Sequence, residues 1–321
     1  MAVNRDKPDR WKADIAQSVD MYNAWFINFA PQAFRETRVK VTEVVASTLQ
    51  ATSNLKNLQP EILRQNPSVL PTMRMCTCPP IARDRLIGLA GVSKSVVDRM
   101  EVEGKLPIRL TSDRLDEELR KITNIVSRLA DRDIFTWLDT NQTPTENEIY
   151  RAASLIADRL CGSSADPIVR NAQETRQLRE IAAWLDGHNY RLLPTAQRVR
   201  FNEMPPGTYS FRLNIPVNLS VEGGKTVNIP VDAVIMRKTA QSGERPLLVE
   251  AKSAGDFTNV NKRRKEEARK MQQLHATYGN TAEFILFLCG YFDSGYLGYE
   301  AAEGIDWVWE HRIDDFTQFG L

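Results

Sequence analysis

Apolar residues recur at three- and four-residue steps through the first half of the chain and alternate with polar ones further on, so its character changes from helix to strand. Trp11, Ile15, Val19, Tyr22, Phe26 and Phe29 make one apolar stripe, which predicts a helix. Leu115, Leu119, Ile122, Ile125, Val126, Leu129 and Ile134 make a second. Pro144 suits a helix start, and Ile149, Ala153, Ile156 and Leu160 continue it until Gly162 closes it. Asp166-Pro167 opens a fourth helix that runs to Asp186-Gly187. Pro60, Pro67, Pro71, Pro79 and Pro80 interrupt residues 53–80, which are expected to be mostly loop with one short helix.

The pattern changes after Met204-Pro205-Pro206-Gly207. Tyr209, Phe211, Leu213 and Ile215 alternate with polar residues, the period of a half-buried strand. Further strands are predicted over 227–236 and 247–252, after turns at 222–225 and 241–245. A long polar helix follows over 256–278, then a strand over 282–289, short strands at 296–299 and 307–309, and a small helix from Ile313. Helices followed by βββαβ imply an α+β protein whose mixed sheet is flanked by helices. The expected division is a mainly helical region over 1–190 and a sheet-bearing core over 191–321.

With 42% hydrophobic and 26% charged residues, the 321-residue chain reads as an ordinary globular protein of one or two domains. No apolar run approaches the roughly 20 residues a membrane span needs. Nor does the N-terminus carry the apolar core of a signal peptide, so a cytoplasmic protein without a membrane partner is expected. Cys76, Cys78, Cys161 and Cys289 fit neither a zinc knuckle nor a disulfide framework and read as reduced thiols. His188, His275 and His311 are isolated and read as structural. The net charge of +1 decides nothing by itself, because a phosphate-gripping face needs only a local cluster.

The sharpest local feature is Ile229-Pro230-Val231-Asp232 followed by Leu247-Leu248-Val249-Glu250-Ala251-Lys252. Two residues apart on a strand, Glu250 and Lys252 project from one face while Ala251 points the other way. Leu247 to Val249 form the continuous apolar run of a strand covered on both sides. A carboxylate and an ammonium at the end of such a strand are costly unless each is paired or holds a metal. Asp232 on the preceding strand could supply a second carboxylate, and the Ala251 carbonyl a third oxygen, for Mg²⁺. The ion would activate a water for phosphodiester hydrolysis, and Lys252 would orient that water and offset charge at phosphorus. Glu-x-Lys alone is very common and, as a lone motif, reads first as a surface ion pair on an edge strand. The buried-type strand before it, the aspartate beside it and the basic helix after it favour the catalytic reading.

Residues 251–270 carry seven positive and three negative charges, a local net of +4. Ser253, Asn259, Asn261, Lys262, Arg263, Arg264 and Lys265 are therefore candidates for contact with a DNA backbone, helped by the helix N-terminus; a solvated helix with internal ion pairs is the plainer alternative. Glu266 could lean into the metal site. Upstream, a helix ending at Gly91 and a second capped by Ser93, with Val96, Val97 and Met100 inward, resemble a helix-turn-helix within 83–106. Lys94, Ser95 and Arg99 would face DNA there, although a plain corner between two helices fits as well.

Trp11-Lys12-Ala13-Asp14-Ile15-Ala16-Gln17-Ser18-Val19-Asp20-Met21-Tyr22-Asn23, Phe29-Ala30-Pro31, Cys78-Pro79-Pro80-Ile81-Ala82-Arg83-Asp84-Arg85-Leu86 and Glu250-Ala251-Lys252-Ser253-Ala254-Gly255-Asp256-Phe257-Thr258-Asn259 resemble the XamI-type family of type II restriction endonucleases. The likeness spans most of the chain. It implies cleavage of double-stranded DNA at a short palindromic site, GTCGAC-like, in a bacterial restriction–modification system. It further implies a PD-(D/E)xK centre, in which Asp232 and Glu250 bind Mg²⁺ and Lys252 assists attack. One departure is that Val231 separates Pro230 from Asp232, so Pro-Val-Asp stands where Pro-Asp is usual. A palindromic site would match a two-fold homodimer. The alternatives are a repair nuclease of the same fold, a sequence-specific DNA-binding regulator that does not cut, and a helical interaction protein without DNA affinity.

Overall fold

The computed structural model describes residues 2–140, 142–193, 200–218, 226–257, 260–279 and 281–321, and the side chains of 260–264 lie outside that description. Helix α1 runs Pro8–Ala51, well past the predicted stripe. Then come α2 (Pro60–Gln65), a 3-10 turn (Pro67–Val69) and α3 (Leu70–Met75). The prolines thus start helices here instead of breaking them: each of these three elements has a proline in its first two positions. The missing N–H costs nothing there, because the first helical N–H groups have no intrahelical partner.

Helices α4 (Arg83–Ala90) and α5 (Lys94–Asp98) meet at Gly91, whose φ of 61° is the left-handed cap the corner needs. Ser93 stands at the N-cap of α5, but its side chain makes no capping bond; its N–H and hydroxyl both donate to Glu118 Oε2, at 3.1 and 2.6 Å. After α6 (Ser112–Leu129) and α7 (Trp137–Thr140), α8 runs unbroken over Glu146–Gly187. Two helices were expected in that stretch. Instead Pro167 sits inside one, and the Ser163 and Ser164 hydroxyls return to the Leu160 carbonyl at 2.8 and 2.9 Å.

A six-stranded mixed sheet has the order β1 (Arg191–Leu192), β2 (Thr208–Asn218), β3 (Thr226–Met236), β4 (Leu247–Ala254), β5 (Phe284–Gly290), β6 (Asp306–Trp309). β2, β3 and β4 pair antiparallel, while β4, β5 and β6 pair parallel. The parallel crossovers carry α9 (Val260–Tyr278) and α10 (Ser294–Ala302). The strand expected at 296–299 is part of α10, whose N-cap Asp293 accepts the Tyr296 N–H at 2.7 Å. The final segment, Glu310–Phe319, is 3-10 helix with a kink at Arg312.

Contacts group Met1–Phe29 with Arg170–Leu321 in one unit and Ala30–Val169 in a second, so the grouping is not contiguous in sequence. In the sheet-bearing unit the N-terminal segment is held by Asp306, which accepts the N–H groups of Val3, Asn4 and Arg5 at 2.6, 2.9 and 3.1 Å. One sheet face packs Val231, Leu248, Leu286 and Trp307 with Met271 and Leu274 of α9 and Tyr296 and Leu297 of α10. The other packs Ala233, Val249, Phe287 and Val308 with Leu178, Ile181 and Leu185 of α8. The helical unit holds two cores, one around Leu63, Leu70, Val96, Leu119 and Val126, the other around Val45, Leu49, Phe135, Ile156 and Cys161.

Candidate active site

Alternate residues of a regular strand share a face, yet β2 and β3 switch faces midway. Tyr209 of β2 and Ala233 of β3 belong to the α8-side core, whereas Leu213 and Val231 belong to the α9-side core. The ladder between them skips Arg212 and Asp232, where Arg212 takes a left-handed φ of 53°. Such a φ is uncommon for a residue other than glycine. The switch sets Asp232 at the end of its pairing with β4, whose final rung is Ala233↔Val249. The next backbone N–H of β4 in reach, that of Ala251, donates to Asp232 Oδ2 at 2.8 Å.

Glu250 and Lys252 share the α9-facing side of β4, with Lys252 Nζ 3.0 Å from Glu250 Oε1. Helix α9 adds Glu267, whose Oε1 is 3.0 Å from Lys252 Nζ, and Lys270, whose Nζ is 2.6 Å from Glu250 Oε1. Glu250 is 6% exposed, and its second oxygen, Oε2, is buried without a hydrogen-bond partner. On the other side Gln177 of α8 donates to the carbonyls of Lys252 and Phe287, both at 3.3 Å. Gln173 donates to the Tyr22 hydroxyl at 2.5 Å. A cleft of about 310 Å³ opens here, lined by Arg170, Gln173, Glu174 and Gln177 of α8 and by Asp232, Glu250, Ala251, Lys252, Ser253 and Glu266.

Burial, and then the charge of Glu250, push the Asp232 carboxyl up to about 6, against the pull of the Ala251 N–H, Lys252 and Lys270. For Lys252, burial favours the neutral amine, but the charges of Glu250 and Glu267 outweigh it and hold the pKa above the ordinary lysine value. The cleft therefore combines mutually repelling carboxylates, an unpartnered carboxylate oxygen and a firmly charged lysine. A divalent cation would relieve the repulsion and occupy the open oxygen. Among the described residues no group of three or more Asp, Glu, His or Cys is placed to hold a metal ion; Asp232 and Glu250 could offer two carboxylates to an ion that keeps several waters.

The structure brings Asp232, Glu250, Ala251, Lys252 and Ser253 together in this cleft. Lys265 is exposed on α9. Asn259 lies outside the described residues, as do the side chains of Asn261, Lys262, Arg263 and Arg264. In the helical unit Lys94 and Ser95 are exposed at the start of α5, whereas Arg99 is half-buried and pairs with Glu103 at 2.9 Å. Glu267, Lys270, Gln173, Gln177 and Arg170 were not singled out from sequence. A signal existed for Glu267, which stands four and seven positions before Met271 and Leu274, on the buried stripe of α9.

The chain belongs to the XamI restriction endonuclease family, whose model matches residues 53–309, and so to the type II restriction enzymes, which are site-specific deoxyribonucleases. It is 51% identical to the type II restriction enzyme SalI of Streptomyces albus G over 318 residues, 99% of each chain. Among solved structures, protein VC1899 from Vibrio cholerae matches 91% of this chain and 57% of its own, at 12% identity and a TM-score of 0.31. Among the described residues no helix is long and apolar enough to cross a membrane.

Proposed function

We propose that this enzyme hydrolyses double-stranded DNA at a short palindromic site, GTCGAC-like as in the resemblance to its family, with a PD-(D/E)xK centre that uses Mg²⁺. The observation that carries this reading is the cleft itself: carboxylates from two adjacent strands, a lysine two residues beyond one of them, and a buried Glu250 Oε2 with no partner. Asp232 and Glu250 would hold the ion, with the Ala251 carbonyl as third protein oxygen. When bound, Mg²⁺ supplies positive charge at the scissile phosphate and acidifies water for attack. Lys252 orients the attacking water and offsets negative charge developing on the phosphate oxygens. The Ala251 N–H, which donates to Asp232 Oδ2, would hold the carboxylate in place at the cleft.

Ser253, Asn259, Asn261, Lys262, Arg263, Arg264 and Lys265 are proposed to grip the DNA backbone. Lys94, Ser95 and Arg99 are proposed as a second contact, in the helical unit. The palindrome implies a homodimer with one centre per strand. Two measurements test the centre. Lys252→Ala is expected to reduce cleavage to a residual rate visible only over long incubations and leave site-specific binding largely intact; normal cutting by that variant removes Lys252 from the mechanism. Digestion of a mapped DNA with and without Mg²⁺, followed by run-off sequencing of the ends, is expected to return discrete fragments ending at GTCGAC only when the ion is present. Cutting after complete chelation, or ends at unrelated sequences, would refute the cofactor or the site.

A further inference from the structure

Two carboxyl groups behind Lys252 have no part in the mechanism so far. Glu267 of α9 and Glu300 of α10 are both at 0% exposure. Full burial of an acid is costly unless a partner or a proton removes its charge. Glu267 has a partner: its Oε1 lies 3.0 Å from Lys252 Nζ, the same distance at which that nitrogen meets Glu250 Oε1. The ammonium thus sits between carboxylates from two different elements, β4 and α9.

Glu250 alone is a poor anchor for it. Its Oε1 is already shared with Lys270 Nζ at 2.6 Å, and its Oε2 is the oxygen offered to the cation. A lysine carries a point charge on a flexible four-carbon stem, and one contact leaves that charge free to swing. A second contact from a packed helix fixes it. Glu267 is suited to this because Met271 and Leu274, on the same stripe, bury α9 against the sheet. Glu300 completes the arrangement from α10. Burial and then the charge of Glu267 push it up to about 8, Glu303 adds to the rise, and Tyr296 and Lys252 oppose it. At neutral pH Glu300 therefore keeps its proton, and Glu267 is the carboxyl of this pair whose oxygen lies 3.0 Å from Lys252 Nζ.

We infer that Glu267 is a positioning residue, which holds the Lys252 ammonium at the cleft through an ion pair independent of the metal-binding carboxylates. The inference rests on Lys252 being the group that orients the attacking water. Glu267→Gln keeps the shape and removes the charge. It is expected to lower the single-turnover cleavage rate by about 100-fold, the scale on which a misplaced catalytic group costs rate. The Kd for cognate DNA, measured without Mg²⁺, stays near the wild-type value. In a double-mutant cycle, the same substitution in a Lys252→Ala background, followed over long incubations, is expected to cost little more, because the group it positions is gone. A merely structural role would cost the same factor in both backgrounds. Where Glu267→Gln does not fold, Glu267→Asp, which withdraws the carboxylate by one methylene, goes through the same cycle. Wild-type cutting by the Glu267 variant, or equal losses with and without Lys252, overturns the inference and leaves the catalytic reading of Lys252 standing. Normal cutting by Lys252→Ala overturns that reading and the inference with it.

Discussion

Three acids of the sheet-bearing unit meet the cost of burial in different ways: Glu267 by an ion pair, Glu300 by keeping its proton, Asp232 by an N–H bond and an ionisation delayed to about 6. For Glu300 the stability consequence has a definite sign. Its folded-state pKa of about 8 lies above the ordinary 4.5, so between those values the folded chain keeps a proton that the unfolded chain has lost. Stability therefore falls as pH rises through that window. Glu300→Gln, neutral throughout, is expected to melt higher than wild type by a margin that widens from about pH 5 to about pH 8. Parallel melting curves across that range would show that Glu300 is not held neutral. If Asp232 holds Mg²⁺ as proposed, the ion has to displace a proton once pH drops below about 6. Calorimetric titration of the DNA-free protein is expected to show Mg²⁺ affinity declining there, and Asp232→Asn is expected to remove the dependence along with most of the affinity. Asp232, Glu250 and Lys252 could be picked out from sequence because strand period and spacing are local properties. Gln173, Gln177 and Lys270 could not, since what aims them at the cleft is the packing of α8 and α9 on opposite faces of the sheet.

At the level of elements, period-based reading worked where one period held and failed where capping or backbone geometry overrode it. Strands β2 to β5 and helix α9 were legible from alternation and charge. The Tyr296-Leu297-Gly298-Tyr299 stretch looks like a short strand, but Asp293, three residues before Tyr296, caps a helix there. Asp293→Ala is expected to cost about 1 kcal/mol of stability, the usual worth of an N-cap, read as a lower melting temperature; an unchanged melting curve would deny the cap that role. Pro167 looks like a helix start, yet α8 runs through it, and Arg170, Gln173 and Gln177 of the same helix line the cleft. The face switch at Arg212 and Asp232 leaves the spacing of apolar residues intact, so no pattern of hydrophobicity could reveal it. For α9 the local charge excess predicts a separation of roles along one helix. Arg263→Ala with Arg264→Ala is expected to weaken binding to cognate and unrelated DNA alike and to flatten the salt dependence of binding, since phosphate contacts release counterions whatever the sequence. Selective loss of cognate binding would instead assign these arginines to base recognition.

On the scale of the whole molecule, a formal charge of +1 over 321 residues gives no general attraction to DNA, so the proposed binding would rest on placed cations and, in the proposed homodimer, on matched symmetry. A palindrome offers the same contacts twice, related by a two-fold axis, and a protein with one cleft per chain can satisfy both only as a pair. Sedimentation of the purified protein is accordingly expected to return twice the 36.5 kDa chain mass. The stronger test joins symmetry to chemistry. In a dimer with one wild-type and one Lys252→Ala chain, purified through two different affinity tags, both halves would grip the site while only one carried a working centre. Each encounter would then break one strand, and a supercoiled plasmid with a single site would accumulate as open circle. Wild-type dimers, breaking both strands during one stay, would pass to the linear form with little open circle. Linear product formed by the mixed dimer as fast as by the wild type would mean that one cleft serves both strands, and the pairing of one centre with one strand would have to be given up.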